Sequence, residues 1–286
     1  MSQGVGTAVI GGSGIYHIEG LTILEERRIR TPFGDPSDKV IIGTFDGNTK
    51  LAFLPRHGKG HRIMPSEINS RANIWALKSL GVRTVISLSA VGSLKEEIKP
   101  QDIVIPRQII DRTRNRPSTF FGEGVVGHIQ FGSPVCGSTS NFLFEEIKKL
   151  GYRVHADETY VCMEGPAFST RAESNLYRSW KAGIIGMTAL PEAKLCREAE
   201  MCYSIIAFST DYDCWHEEEV SVEMVIANFN ANIGKAKNII KDILTRVPDD
   251  GKCRCRTAAA GAIMTDKTLI PRKTRDKLRL LFGKYM

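Results

Sequence analysis

The stretch that decides the fold is Tyr203-Ser204-Ile205-Ile206-Ala207-Phe208-Ser209. A continuous apolar run of this length, without Gly or Pro, predicts a strand that is buried on both faces. Asp211 and Asp213 follow the run directly. Ligands of α/β proteins bind beyond the carboxyl ends of such strands, so the two carboxylates are candidates for ligand binding or proton transfer. The ordinary alternative is that they only cap the turn into the next helix.

Other strand-like and helix-like segments alternate along the chain on both sides of this run. We expect strands at 7–10, 40–44, 51–54, 84–88, 102–106, 159–163 and 183–187, and helices at 69–80, 142–150, 171–182, 192–201, 221–244 and 273–282. This alternation indicates an α/β fold. We predict one domain over residues 1–247, with a central mixed β-sheet flanked by helices. A basic, helical C-terminal extension over 248–286 is expected to pack on the domain or on a neighbouring subunit.

Length and charge narrow the class of protein. The 286 residues suffice for one large α/β domain. No apolar stretch approaches the length that spans a bilayer, and residues 1–6 lack the features of a signal peptide, so we expect a cytoplasmic protein without membrane contact. The net charge of +7 lies in the tail, because residues 252–286 contain ten Lys or Arg and two Asp or Glu. Such a tail can bind nucleic acid. It lacks regularly spaced aromatic residues, however, and we expect no nucleic-acid partner.

The seven cysteines do not show a metal-binding spacing. No pair is arranged as Cys-x-x-Cys, so the sequence predicts no metal site and reduced, structural thiols. Cys253 and Cys255 form the one unusual pair. A disulfide between them would close a small strained ring and be easily reduced, and it is kept as a hypothesis.

Phosphate-type donors follow four of the predicted strands. They lie in Gly11-Gly12-Ser13-Gly14, in Arg56-His57, at Ser89 and at Thr188. Backbone N–H groups of a Gly-rich turn, an Arg fork, a His and small hydroxyls are all suited to phosphate oxygens. Each motif alone is typical of an ordinary turn or loop. If the four converge, they form an oxyanion site that needs no metal.

Aromatic and apolar residues suggest a place for a flat heterocycle. Phe168 follows a strand end, and Val222, Val225 and Ile226 lie on one face of a predicted helix. Core packing is the default role for such residues. The functional alternative is that Phe168 lies against a ring and the three aliphatic side chains line an apolar pocket.

The order of the motifs resembles that of the 5′-deoxy-5′-methylthioadenosine phosphorylases, a trimeric branch of the purine nucleoside phosphorylases. The resemblance covers about Val9 to Val247. The motifs that carry it are Gly-Gly-Ser-Gly at 11–14, Pro-Arg-His-Gly at 55–58, Ile-Met-Pro-Ser-Glu-Ile-Asn at 63–69, Ser-Ala-Val-Gly-Ser-Leu at 89–94, Glu-Gly-Pro-Ala-Phe-Ser-Thr-Arg-Ala-Glu-Ser at 164–174, Gly-Met-Thr-Ala-Leu-Pro-Glu at 186–192 and Thr-Asp-Tyr-Asp-Cys-Trp at 210–215.

The resemblance implies a role for each site residue. The implied phosphate site consists of Ser13, Arg56, His57, Ser89, Ala90 and Thr188. The nucleoside would contact Phe168, Met187, Asp211 and Asp213, and its 5′-group would contact His61, Ser169, Val222, Val225 and Ile226. His128 and Leu269 would come from a neighbouring subunit of a trimer or a dimer of trimers. No cofactor is implied, since inorganic phosphate is a co-substrate.

The implied reaction is the phosphorolysis of methylthioadenosine to adenine and 5-methylthioribose 1-phosphate, a step of purine and methionine salvage. Asp211 would protonate N7 of the leaving purine, and Asp213 would select a 6-amino group. Three alternatives stay open from the sequence. They are a purine nucleoside phosphorylase that also accepts adenosine or inosine, a hydrolase that uses water, and, more distantly, a nucleotide- or nucleic-acid-binding protein.

Overall fold

The fold is built on one mixed β-sheet. The structure, a computed structural model, describes residues 4–12, 18–216, 222–248 and 251–286, apart from the side chains at 222, 224 and 225. Within these residues the sheet has eleven strands. They are β1 Thr7–Gly11, β2 Thr22–Arg27, β3 Val40–Thr44, β4 Lys50–Pro55, β5 Thr84–Ser93, β6 Ile103–Ile105, β7 Gln108–Arg112, β8 Val154–Ala156, β9 Thr159–Met163, β10 Ile184–Gly186 and β11 Cys202–Asp211.

Strand β5 is the centre of the sheet. It pairs in parallel with β1 on one edge and with β11 on the other. Its last residues pair antiparallel with β10, which continues the sheet to β9 and β7. All residues of β11 are buried, as the continuous apolar run predicts. The carboxyl ends of β1, β4, β5 and β11 therefore come to the same side of the sheet, next to β10.

Six helices cover the sheet within the described residues: α1 Ser70–Ser79, α2 Gly137–Lys149, α3 Arg171–Ser179, α4 Glu192–Glu198, α5 Val222–Ile243 and α6 Arg272–Phe282. Local chemistry fixes where two of them begin. The Asn69 side chain accepts a hydrogen bond from the Ala72 N–H at the start of α1. Thr170 and Glu173 form a reciprocal capping box at the start of α3.

The described part of the C-terminal extension, 251–286, packs on the rest of the chain. Helix α6 buries Leu278, Leu281 and Phe282, and the Phe282 ring stacks on Phe121 at 4.7 Å between centroids. Helix α6 also contacts α1. The extension therefore adds to the hydrophobic core of the domain, and its boundary at residue 248 stays a prediction.

The predicted fold class, an α/β domain with a central mixed sheet, is confirmed. Most predicted elements are present with shifted ends, and β11 extends to include Asp211. The structure has no Cys253–Cys255 bridge, which the sequence left as a hypothesis: all seven cysteines are free thiols, and the Cys253 sulfur lies 3.5 Å from that of Cys136. Among the described helices, none combines the length and the apolar character that crossing a membrane requires.

Candidate active site

A cavity of about 400 Å³ opens beyond the carboxyl ends of the central strands. Its walls come from the residues after β1 and β4, from the ends of β5, β10 and β11, and from helix α5. This is the side of an α/β sheet on which ligands bind. Ten of the residues selected from the sequence line it: Arg56, His57, His61, Ser89, Ala90, Phe168, Met187, Thr188, Asp211 and Asp213.

The other selected residues have different places. Ser13 and the side chains of Val222 and Val225 lie outside the described residues. Ser169 is buried beside the cavity, and its hydroxyl lies 3.7 Å from the sulfur of Met163, a lining residue. The remaining three residues, Ile226, His128 and Leu269, are exposed and do not line the cavity of this single chain.

Three hydroxyl groups meet at one end of the cavity. Ser89 on β5 is hydrogen-bonded to Thr188, which follows β10, and its Oγ lies 3.1 Å from the hydroxyl of Tyr160. The Thr188 N–H donates to Tyr160 Oη at 3.5 Å, so the Tyr160 proton is free to point at Ser89. Burial raises the pKa of Tyr160 to about 12, and this hydroxyl stays protonated. Sequence reasoning missed Tyr160, because a Tyr within a buried strand is typical of the core.

His57 lines the same cavity. Its Nδ1 lies 2.8 Å from the Ile63 carbonyl oxygen, which can only accept, so Nδ1 carries the proton. Burial, and then the neighbouring charge of Arg56, lower the pKa of His57 to about 4. The ring is therefore neutral at physiological pH, with Nε2 as an acceptor. The His61 ring stacks on it at 4.1 Å.

Arg56 is held by an internal ion pair. Its Nε donates to Glu192 Oε1 at 2.5 Å, Nη2 donates to Ser87 Oγ at 2.6 Å, and Nη1 donates to the Leu88 carbonyl at 3.0 Å. Burial opposes the charge of Arg56, but Glu192 outweighs it and the pKa of Arg56 is raised. From the sequence, the planar fork of Arg56 was expected to suit phosphate oxygens. In the structure most of the fork is used by protein partners, and one N–H of Nη1 remains for a ligand.

Asp211 lies at the other end of the cavity. Its carboxylate accepts hydrogen bonds from the Thr210 hydroxyl at 2.6 Å and from the Asp213 N–H at 2.8 Å. Burial raises the pKa of Asp211 although both hydrogen bonds lower it. A carboxyl group with a raised pKa inside a cavity is suited to hold and deliver a proton.

Asp213 is the second acid at this end. Burial raises the pKa of Asp213, the Ser174 hydroxyl and the Cys214 N–H lower it, and the negative charge of Asp211 raises it further. Within the described part of the chain, its Oδ2 is buried and has no hydrogen-bond partner. The residue adopts φ 52°, in the left-handed region, which Asp tolerates better than most residues. An unpartnered acceptor on a strained backbone at a cavity wall is typical of a ligand-binding position.

Strand β5 packs closely against the Asp211 carboxylate. A Cβ atom on Gly92 would lie 3.0 Å from Asp211 Oδ1, so only Gly lets β5 approach this carboxylate freely.

Arg116, which sequence reasoning missed, donates to the Met187 carbonyl at 2.7 Å and to the Leu190 carbonyl at 2.8 Å. These bonds hold the loop that carries Met187 into the cavity.

Helix α5 supplies an apolar wall. Phe229, Ile233 and Ala236 line the cavity at spacings of one helical turn, and Asn232 lies beside them. Ile226 belongs to the same stripe one turn earlier but is 54% exposed, because it lies beyond the end of the cavity. The side chains of Val222 and Val225 lie outside the described residues, so the predicted contact of Val222, Val225 and Ile226 with the 5′-group stays a prediction.

An exposed apolar surface carries His128 and Leu269. Val126, Met264 and Leu269 are 56%, 66% and 74% exposed. The Met264 N–H donates to the Val126 carbonyl, and Gly127 pairs with Ile263, so the two segments run side by side. Exposed apolar surface of this kind is typical of an interface with another molecule.

Known proteins are similar to this chain over nearly its full length. The family model of the Phosphorylase superfamily matches residues 7–245. S-methyl-5′-thioadenosine phosphorylase of Geobacter sulfurreducens is 53% identical over the whole of both chains. A crystal structure of methylthioadenosine phosphorylase from an antarctic soil metagenomic library is 45% identical, with a TM-score of 0.93 over 97% of this chain and 99% of that one.

A more distant solved structure has the same fold. Methylthioadenosine phosphorylase from Schistosoma mansoni in complex with adenine is 33% identical, with a TM-score of 0.79 over 98% of both chains. Sequence and structure thus agree over the sheet, the cavity and the C-terminal extension. The chain belongs to the Phosphorylase superfamily and, within it, to the S-methyl-5′-thioadenosine phosphorylases.

Proposed function

We propose that this chain catalyses the phosphorolysis of 5′-deoxy-5′-methylthioadenosine to adenine and 5-methylthioribose 1-phosphate. The observation that carries the proposal is one cavity with hydroxyl and His groups at one end and two acids of raised pKa at the other. The register of β5 and β11 places Asp211 opposite Gly92, three residues beyond Ser89. Three residues of a strand span about 10 Å, a distance that a nucleoside with phosphate at its ribose can bridge.

The hydroxyl end is suited to phosphate. The hydrogen bond between Ser89 and Thr188 uses one of their two hydroxyl protons and leaves the other to donate to phosphate, and the remaining Nη1 proton of Arg56 adds a charged donor. Neutral His57 offers Nε2 as an acceptor for the protonated oxygen of a phosphate dianion. Phosphate bound here stabilises positive charge on the ribose by its own negative charge, and one of its oxygens then attacks C1′. Inorganic phosphate is a co-substrate, and no organic cofactor is required.

The acid end is suited to the purine. As the C1′–N9 bond breaks, its electron pair moves into the base, and protonated Asp211 delivers a proton to N7. The unpartnered Oδ2 of Asp213 accepts a hydrogen bond from the 6-amino group. Met187 lies beneath the ribose and Phe168 lies over the base. The 71% exposure of Phe168 in the single chain leaves its ring free for this contact.

The apolar wall of α5 favours a thioether at the 5′-position. Phe229 and Ile233 have no group that hydrogen-bonds to a 5′-hydroxyl, which would lose its water on binding. Methylthioadenosine is therefore preferred over adenosine. A second copy of the chain completes this wall with His128 and Leu269, because both are exposed on an apolar surface. The proposed assembly is a homotrimer or a dimer of trimers.

The test is a phosphate-dependent assay with three nucleosides. Purified protein is incubated with methylthioadenosine, adenosine or inosine, with and without inorganic phosphate, and the base and sugar products are quantified. We expect adenine and 5-methylthioribose 1-phosphate in equal amounts, and only with phosphate. Adenine release without phosphate would identify a hydrolase. Equal kcat/KM values for methylthioadenosine and adenosine would identify a phosphorylase of broader specificity.

A further inference from the structure

Four of the seven cysteines form one cluster. The Sγ atoms of Cys136, Cys202, Cys253 and Cys255 all lie within 4.8 Å of one another. They come from three separate segments: the residue before α2, the first residue of β11, and the turn at Arg254–Thr257 with the residue before it. None of the four is among the described residues that line the active-site cavity. A search for Cys-x-x-Cys pairs in the sequence does not find this cluster, because its members come from three segments that are distant in the chain.

The distances between the sulfur atoms suit a metal better than a disulfide. Four Zn–S bonds of about 2.3 Å in a tetrahedron place the sulfur atoms about 3.8 Å apart. A disulfide requires about 2.05 Å. The Cys136 and Cys253 sulfurs are 3.5 Å apart, and the whole group spans no more than 4.8 Å. Each sulfur thus has three sulfur neighbours within 4.8 Å, and the Cys136–Cys253 distance of 3.5 Å is close to the edge length of such a tetrahedron.

The surroundings of Cys136 stabilise a thiolate. Cys136 lies at the N-cap of α2, where the positive end of the helix dipole favours negative charge. The Thr139 hydroxyl donates to its sulfur at 3.3 Å, and the Ser138 hydroxyl lies 3.2 Å away. Hydroxyl groups that donate to a ligating sulfur are the kind of support that structural metal sites show.

Three arginines are close to Cys255 in the chain or interact with it. Arg254 and Arg256 flank Cys255 in the chain, and Arg197 interacts electrostatically with Cys255. Four thiolates around one divalent cation carry a net charge of −2. Three arginines near such a centre offset that charge. An uncharged group of four thiols would gain nothing from them.

We propose that Cys136, Cys202, Cys253 and Cys255 bind one Zn²⁺ in a tetrahedral structural site. Binding forms four Zn–S bonds and releases the four thiol protons to water. A zinc ion with four protein ligands has no position for substrate, so the site stabilises the folded chain. It fastens the extension 251–286 to the starts of α2 and β11, and thereby holds the segment that carries Leu269.

The test measures zinc in protein purified without a metal-affinity step and in the presence of a thiol reductant. Elemental analysis is expected to find one zinc per chain in the wild type and in the control Cys214→Ser, whose thiol lies outside the cluster. The double variant Cys253→Ser/Cys255→Ser is expected to lose the zinc. Wild-type protein without stoichiometric zinc, which also fails to take up one equivalent of added zinc, would overturn the proposal.

Two measurements on the wild type do not depend on the variant folding. A mercurial thiol reagent is expected to release one equivalent of zinc to a colorimetric indicator. Cells lysed directly into denaturant with a chelator and an alkylating reagent are expected to yield protein with all seven cysteines alkylated. Three alkylated cysteines would show that the cluster is held by disulfides instead of zinc.

Discussion

At the scale of single residues, the proposed reaction depends most on Asp211. Its two hydrogen bonds fix the carboxyl group, while burial keeps its pKa above the ordinary value of 3.8. The protonated form is fully present below this raised pKa and is lost as pH increases through it. We therefore expect proton delivery from Asp211 to the purine to weaken on the alkaline side.

Replacement of Asp211 separates proton delivery from hydrogen bonding. We expect Asp211→Ala to lower kcat by about two to four orders of magnitude, the range for a lost general acid. Asp211→Asn keeps an N–H donor for N7 but has no proton to transfer, so it should retain more activity than Asp211→Ala. Its rate should not show the alkaline decrease assigned to Asp211. Steady-state kinetics across pH provide the measurement, and near-normal turnover of Asp211→Ala would contradict the role.

Asp213 is the residue that we propose selects the purine. Its unpartnered Oδ2 accepts an N–H group but repels a carbonyl oxygen. Asp213→Asn adds a donor, so the preference for adenosine over inosine should fall by about tenfold to a hundredfold. This factor corresponds to the loss of one hydrogen bond to a charged group. The ratio of kcat/KM for the two nucleosides measures the change. An unchanged ratio would remove this residue from base selection.

At the scale of elements, the pairing of β5 with β11 aligns the two ends of the cavity. Ser89 pairs with Ala207 and Gly92 with Asp211, so both chemical functions lie on neighbouring strands. Gly92 is the position where the strands and the carboxylate come closest. A Cβ atom there would lie 3.0 Å from Asp211 Oδ1 and 3.2 Å from Ile185 Cγ2.

Gly92→Ala should therefore reduce activity by displacing Asp211. We expect kcat to fall by about tenfold. A displacement of about 1 Å at a catalytic group lowers the rate about a hundredfold, and the expected displacement of Asp211 is smaller. Gly132→Ala is the matched control, since a Cβ atom at Gly132 has no neighbour within 4 Å. Equal kcat values for the two variants would show that the contact between β5 and Asp211 has no influence on the reaction.

The elements differ in how far the sequence predicts them. Strand β11 and helix α5 were predicted, because an unbroken apolar run and a helical stripe are strong local patterns. Strand β2 was missed, since all six of its residues are exposed and show no burial pattern. Tyr160, Glu192 and Arg116 were missed as site residues, because each acts by supporting another residue that is distant in sequence.

At the scale of the whole molecule, one chain leaves part of the proposed site open. His128 and Leu269 are exposed, and the surface around them is apolar. The sequence alone could name them only through a family resemblance, because no local pattern relates an exposed residue to another subunit. The cysteine cluster illustrates the same limit, since three separated segments meet only in the folded chain.

Mixing of two inactive variants tests the shared site. Asp211→Ala and His128→Ala chains are each expected to have low activity alone. When the two chains are co-expressed, some sites combine an intact Asp211 with an intact His128 of a neighbouring chain, and activity should exceed that of either parent severalfold. Light scattering checks that the assembly is a homo-oligomer. No gain on mixing, or a monomer with full activity, would contradict a site made by two chains.

The most direct test of the central claim is a crystal structure of the protein with inorganic phosphate and adenine bound together. We expect phosphate within hydrogen-bond distance of Ser89, Thr188 and His57, and adenine with N7 at Asp211 and its 6-amino group at Asp213. Phosphate bound away from these hydroxyls, or adenine that does not contact the two acids, would contradict the assignment of the two ends.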